Sequence, residues 1–371
     1  MNKQKPNAGN IRIRNKRKTV EKIEFTQDYI PLKEIRNGII ETTDGRYIKI
    51  LEIEPINFLL RSGEEQYNII SSFASWLKIS PMCLQFKSVT RKANSNKHVS
   101  MLRDELKQES NPQCRELGDE YIRFIKDMGS REALTRRFFL IFQYEPLSGR
   151  RQLNTEYSEI FGMIQTTVQN AKTYFMQCGN SVIQPKDEDS FAAEILYMFF
   201  NRKSCTDEPF SSRLERIVMD TMITKKKTIG VDPVPHIKAA NFIAPKGVDF
   251  THYNYIVMDG VYYTFLYIKK DGYPNLVRAG WMSSLINAGE GVDIDVYLKR
   301  EIRGKTLDKV SQRIRLNRTK LKGIQDTSTD YEELTNSIQA GYFIKNSISN
   351  YNEDLFYCNC SVGIAKKIKI C

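Results

Sequence analysis

Apolar and polar positions along the chain change period several times, and each change predicts an element. Ile39-Ile40-Glu41-Thr42, then Asp44-Gly45, then Tyr47 to Ile53 reads as a hairpin, because Asp-Gly supplies the positive φ that a tight turn needs. Ile69, Ile70, Phe73, Trp76 and Leu77 recur at helical spacing. Ser62 and Glu65 stand at capping-box spacing ahead of them, and Pro81 closes the segment. Leu84–Val89 predicts a strand. Helices follow from about 97 to 128, broken near Pro112. Phe138-Phe139-Leu140-Ile141-Phe142 predicts a buried strand. Further helices are expected over 154–178, 189–201 and 212–224, the last with Ser212 and Glu215 as its capping box.

Residues 225–249 hold Lys225-Lys226-Lys227, Pro233, Pro235 and Pro245, and read as a linker. Beyond it the opening pattern returns. Tyr255-Ile256-Val257, Asp259-Gly260 and Val261 to Ile268 form a second hairpin signal. A helix carrying Val277, Trp281 and Leu285 is expected after Pro274. Val292 to Tyr297 alternates as a strand, 299–322 and 329–350 read as helices, and 355–364 as a last strand. The fold class expected is α+β: two consecutive β-β-α-β-α-β-like (ferredoxin-like) units with extra helices. The organisation expected is a basic disordered tail over 1–24, a first domain over 25–224, a linker over 225–249 and a second, incomplete domain over 250–371. The repeated order is either a diverged internal repeat or the common habit of α+β domains to begin with a hairpin and a helix.

The 371 residues suffice for two cores, and 38 Phe and Tyr residues argue against a disordered chain. No stretch reaches the roughly eighteen apolar residues of a spanning helix, and the N-terminus lacks a secretory h-region, so a cytoplasmic protein is expected. The seven cysteines are scattered, which fits reduced thiols.

The formal net charge of +12 favours an anionic partner. It is concentrated in two blocks. Lys3 to Lys22 carries eight basic residues against Glu21 alone, and Lys299 to Lys322 carries ten against Glu301 and Asp308. In the second block Arg303, Arg313, Arg315, Arg318, Lys320 and Lys322 stand at mixed helical spacings. They form either a phosphate-contacting face or a solvated helix surface that pairs with acidic neighbours.

Other chemistry is weakly signalled. Gly304-Lys305-Thr306 resembles the tail of a phosphate-binding loop, but the first glycine of that motif falls on Lys299. Cys358 and Cys360 share a strand face without a second pair to complete a zinc site, and read as small apolar residues. No catalytic, cofactor or metal residue is assigned.

The segments in order resemble the N-terminal region of the CagE/TrbE/VirB class of type IV secretion ATPases, of the kind found in Gram-positive conjugative elements. Asp28-Tyr29-Ile30-Pro31, Ile39 to Tyr47, Leu51 to Phe58, Ser71 to Leu77, Gly129 to Ala133, Arg136 to Phe139, Gly291 to Asp295, Asp330-Tyr331-Glu332 and Asp354 to Tyr357 carry the likeness. It implies a docking and assembly region, peripheral at the cytoplasmic face of the membrane. It implies membrane subunits of a transfer channel and other protomers of a hexamer as partners, to which the two basic blocks add DNA. It places ATP and Mg in a C-terminal RecA-like half, so that this chain, ending at Cys371, is expected to hold no ATPase site and to be truncated. The alternative is a stand-alone basic nucleic-acid-binding protein of a mobile element.

Overall fold

A computed structural model describes residues 25–92, 96–131, 134–145, 157–202, 208–229, 238–269, 272–273, 277–278, 280–323 and 329–366. The expected tail over 1–24 and residues 230–237 of the expected linker lie outside these residues.

Among the described residues eleven strands form one sheet. They are β1 (Leu32–Arg36), β2 (Ile39–Thr42), β3 (Tyr47–Glu54), β4 (Cys83–Lys92), β5 (Leu134–Tyr144), β6 (Ser181–Val182), β7 (Val248–Asp249), β8 (Ile256–Met258), β9 (Val261–Tyr267), β10 (Val292–Arg300) and β11 (Phe356–Lys366). Their order is β1-β2-β3-β5-β4-β10-β11-β9-β8-β7, with β6 added beside β3. Every pairing is antiparallel. The helices are α1 (Gly63–Ile79), α2 (Asn96–Gln108), α3 (Pro112–Arg131), α4 (Tyr157–Gln177), α5 (Glu188–Phe200), α6 (Phe210–Ile229), α7 (Ala239–Ile243), α8 (Ser283–Ile286), α9 (Arg303–Leu321) and α10 (Thr329–Asn350). The protein is of the α+β class.

The two halves have the same plan. In the first, β2-β3-α1-β4-(α2-α3)-β5 gives the strand order β2-β3-β5-β4. In the second, β8-β9-α8-β10-(α9-α10)-β11 gives β8-β9-β11-β10. Even the outermost strands correspond, β1 with β7. The halves meet along β4 and β10, which pair antiparallel over Cys83–Val89 and Asp293–Lys299. Two equivalent strands paired antiparallel are related by an approximate twofold axis through the seam. The helical hairpins α2-α3 and α9-α10 each follow the last residue of one seam strand, so they leave the sheet at opposite ends.

The core is richest in the first half. On one face, Trp76 of α1 and Ile160, Ile164, Val168 and Phe175 of α4 pack on Leu51, Ile53, Leu84, Leu140 and Phe142. On the other, Ala192, Ile195 and Met198 of α5 cover Ile40, Ile50, Val89 and Phe139. The expected capping box of α1 is present: Glu65 N–H donates to Ser62 Oγ (3.3 Å) and Ser62 N–H to the Glu65 carboxylate (2.9 Å).

Several local expectations need correction. Residues 225–249 do not stand apart from the folded units: α6 runs on to Ile229, and α7 lies against α5 and β1. The two units share one sheet across their seam. Helix α6 starts before the proposed Ser212–Glu215 box, because Pro209 supplies the first acceptor, to Arg213 N–H (3.1 Å). The helix expected around Val277, Trp281 and Leu285 shrinks, among the described residues, to the single turn of α8. Lys299 and Arg300 belong to β10, paired with Tyr357 and Phe356, so α9 begins only at Arg303. One hairpin has no counterpart among the expected elements: Asn37 (φ +53) and Gly38 (φ +66) turn β1 into β2.

Candidate nucleic-acid interface

The six basic residues proposed from the sequence do not form one face. On α9, Thr306, Ile314 and Asn317 are buried, with Asn317 donating to Ser337 Oγ on α10 (2.8 Å). Successive residues turn by about 100°. Arg313 and Lys320 therefore flank this buried stripe on one side, and Arg315, Arg318 and Lys322 on the other. Arg318 donates to the Tyr342 hydroxyl across the hairpin (3.3 Å). Arg303 is engaged elsewhere. It donates to Asp354 (2.6 Å) and to the Asn352 carbonyl (3.1 Å), fastening the start of α9 to the segment ahead of β11. Asp354 holds the Arg303 guanidinium above its ordinary pKa.

Gly304-Lys305-Thr306 lies in the first turn of α9. Thr306 is buried and its hydroxyl donates to the Ile302 carbonyl (3.1 Å). Lys299, where the first glycine of such a loop would stand, is paired with Tyr357 in β10, so no glycine-rich loop precedes this turn. Cys358 and Cys360 share a face, opposite Leu298 and Val296 of β10. Burial, with Cys360 beside it, pushes the Cys358 thiol up to about 11. Among the described residues no three His, Cys, Asp or Glu side chains come together as metal ligands.

The seam gathers charge that sequence spacing does not reveal. Asp295 accepts two bonds from Lys87 directly across it (3.0 and 3.0 Å) and one from Gln85 (2.7 Å). Asp293 faces Arg91 (3.3 Å) and Arg202 (2.6 Å). Arg202 also donates to the Thr90 and Gly291 carbonyls (3.2 and 3.0 Å), so α5's end is tied to both seam strands. Beside it a cavity of about 620 Å³ opens between α5, α6 and β8–β9, lined by Tyr197, Arg202, Glu208, Arg213, Lys246 and Asp259 among others. Its charges are largely matched internally. Glu208 accepts from Arg216 (2.9 Å) and faces Lys246 (3.7 Å), and Arg202 belongs to Asp293. Arg213 donates to Ala244 and Asn201 and lies over the Tyr197 ring (5.0 Å). Burial raises the pKa of Tyr197, whose hydroxyl donates to the Glu208 carbonyl (2.9 Å).

Directly paired residues of a sheet share a face. On the face that α5 covers in the first half, the second half presents Phe265, Tyr267, Tyr297 and Tyr357. All four are 43–67% exposed. Lys299, Asn359 and Lys269 stand exposed among them. The Tyr297 hydroxyl accepts from Gln85 (3.3 Å), and its pKa is raised by burial and by Asp295. These rings are absent from the sequence-predicted site. Cross-strand register puts them on one face, and nothing in the sequence says that this face lacks a covering helix among the described residues.

The fold thus defines an α+β protein built as two like halves on one antiparallel sheet. Residues 33–172 are similar to the TraC-like family, described as an Archaeal TraC-like domain. That stretch runs from β1 into α4 and so takes in the strands β1 to β5, without β6, together with α1 to α3 and most of α4. No curated protein matches the chain. Among the described residues no helix is long and apolar enough to cross a membrane.

Proposed function

We propose that this chain is the docking and assembly region of a conjugation-related transfer ATPase. The observation that carries this reading is the similarity of residues 33–172 to a TraC-like domain, TraC being a relative of the VirB4-type conjugal-transfer ATPases. The sequence resemblance to the CagE/TrbE/VirB class, Gram-positive conjugative-element type, extends the same reading over the second half. In this reading the chain sits peripherally on the inner face of the membrane, bound to channel subunits and to other protomers, and ATP and Mg are handled by a RecA-like motor. The pairing of Lys299 within β10, where a phosphate loop would need its first glycine, supports a region without its own nucleotide chemistry.

The test is sedimentation of the purified chain with inner-membrane vesicles from cells that carry a transfer channel and from cells that lack it. Binding confined to channel-bearing vesicles is expected; equal binding to both, or to neither, sinks the docking role. A nucleotide titration in parallel should show no saturable ATP binding, and saturation would return catalysis to the chain.

A further inference from the structure

We infer that the open face of β9, β11 and β10 binds single-stranded nucleic acid, by stacking bases on a ladder of aromatic rings. The inference does not rest on the transfer-ATPase reading and survives its failure.

The register defines the ladder. Four successive cross-strand rows of this face are Val89–Asp293–Gly363–Phe265, Lys87–Asp295–Ser361–Tyr267, Gln85–Tyr297–Asn359 and Cys83–Lys299–Tyr357. Each row presents one exposed ring. Strand spacing and rise place the four within a patch of about 10 by 20 Å. The Phe265 ring lies against Gly363, which has no side chain to lift it from the sheet.

The composition of the face selects the occupant. In the first half the same face is Ile50, Val89, Phe139 and Ile141, and an apolar helix covers it. In the second half the corresponding ground carries the Tyr267 and Tyr357 hydroxyls, the Asn359 amide and the ammonium of Lys299. A second apolar helix would leave those polar groups dry and unpartnered. A nucleic-acid strand satisfies them: every base has a π-face for a ring, amides meet base edges, and lysines meet phosphate. The carboxylates on this ground, Asp293 and Asp295, are already held by Arg91, Arg202 and Lys87 and offer little net repulsion. Lys299 and Lys269 stand exposed at the Tyr357 end, where β10 leads into basic α9. A duplex keeps its bases stacked on one another and cannot use the ladder, so the face should discriminate strand state and not sequence.

The experiment is fluorescence anisotropy with the full chain and labelled oligomers of about 16 nucleotides: oligo-dT, oligo-rU and a mixed-sequence duplex. Comparison of the first two separates DNA from RNA. Tyr357→Ala and Phe265→Ala should each weaken single-strand binding by roughly 5- to 100-fold, leave any duplex binding unchanged, and be rescued at position 357 by Tyr357→Phe. Photo-crosslinking of bromouracil-substituted oligomers to the unaltered chain, read by peptide mapping, guards against variants that misfold; crosslinks on β9, β10 or β11 are expected. Undiminished single-strand binding without the rings, preference for the duplex, or crosslinks confined to residues 1–24 or α9 would overturn the inference. A change of oligomeric state on ring removal, with oligomer binding intact, would do the same and give the face to a second copy of the chain.

Discussion

Single residues carry more of this structure than their types suggest. Gly291, part of the segment that carries the sequence resemblance, holds φ at +87, and a Cβ there would overlap the Ala365 carbonyl oxygen. Its own carbonyl accepts from Ala365 N–H (2.8 Å) and from Arg202. Gly291→Ala should therefore destabilise by about 1–3 kcal/mol, measured by denaturant unfolding; an unchanged midpoint would mean that the β10 entry relaxes freely. The same segment explains Asp293 and Asp295 as seam residues. In the sequence they are legible only as polar positions of an alternating strand, because partners some two hundred residues away have no local signature. The Asn37–Gly38 turn shows the opposite failure. Its signal is local and strong, since Asn-Gly is the preferred pair for a two-residue hairpin. The strand ahead of it, Leu32–Arg36, is too polar to read as one, and so hides the hairpin. Gly38 N–H donates to Asp189, and Lys49 donates to Glu188 (2.8 Å), which anchors this turn to the first turn of α5.

Among elements, those with a full apolar period are legible and those held by tertiary contact are not. α1, α4 and β5 stand where their patterns place them because burial and period agree. The helix around Trp281 fails because three apolar residues at helical spacing do not make one where Gly280, at φ +79, interrupts them. α9 is the instructive case. Its charge reads correctly from sequence, but the division of that charge into two flanks depends on which stripe α10 buries. Arg313→Glu with Lys320→Glu should leave stability within about 0.5 kcal/mol of the parent, because these side chains stand in solvent. Arg303→Ala should instead speed amide exchange at the start of α9 and ahead of β11, since it removes the fastening to Asp354 and Asn352. Equal exchange in both variants would show that the hairpin is held by α9–α10 packing alone.

At the scale of the molecule, two halves with separately legible patterns merge into one sheet. The β-β-α-β-α-β order of each half is visible in the sequence, but edge pairing between distant strands leaves no trace in periodicity. The seam's strength is measurable. Asp295→Ala leaves Lys87, with 15% of its side chain exposed, without its carboxylate, and should cost about 3–5 kcal/mol. Removing Lys87 as well should recover part of that loss, and strictly additive losses would show that the pair contributes nothing across the seam. The approximate twofold relation has a further meaning. β4 meets β10 as the equivalent strand of a second copy would meet it, residue for residue in opposite sense, which is the geometry of a closed homodimer. The chain thus has the arrangement of an approximately twofold dimer within one polypeptide, and its two halves differ in what they carry on that shared plan. One half has a buried core with helices on both faces, while the other, among the described residues, has a small core on β9 and β11, the turn of α8 against β10 and a basic arm.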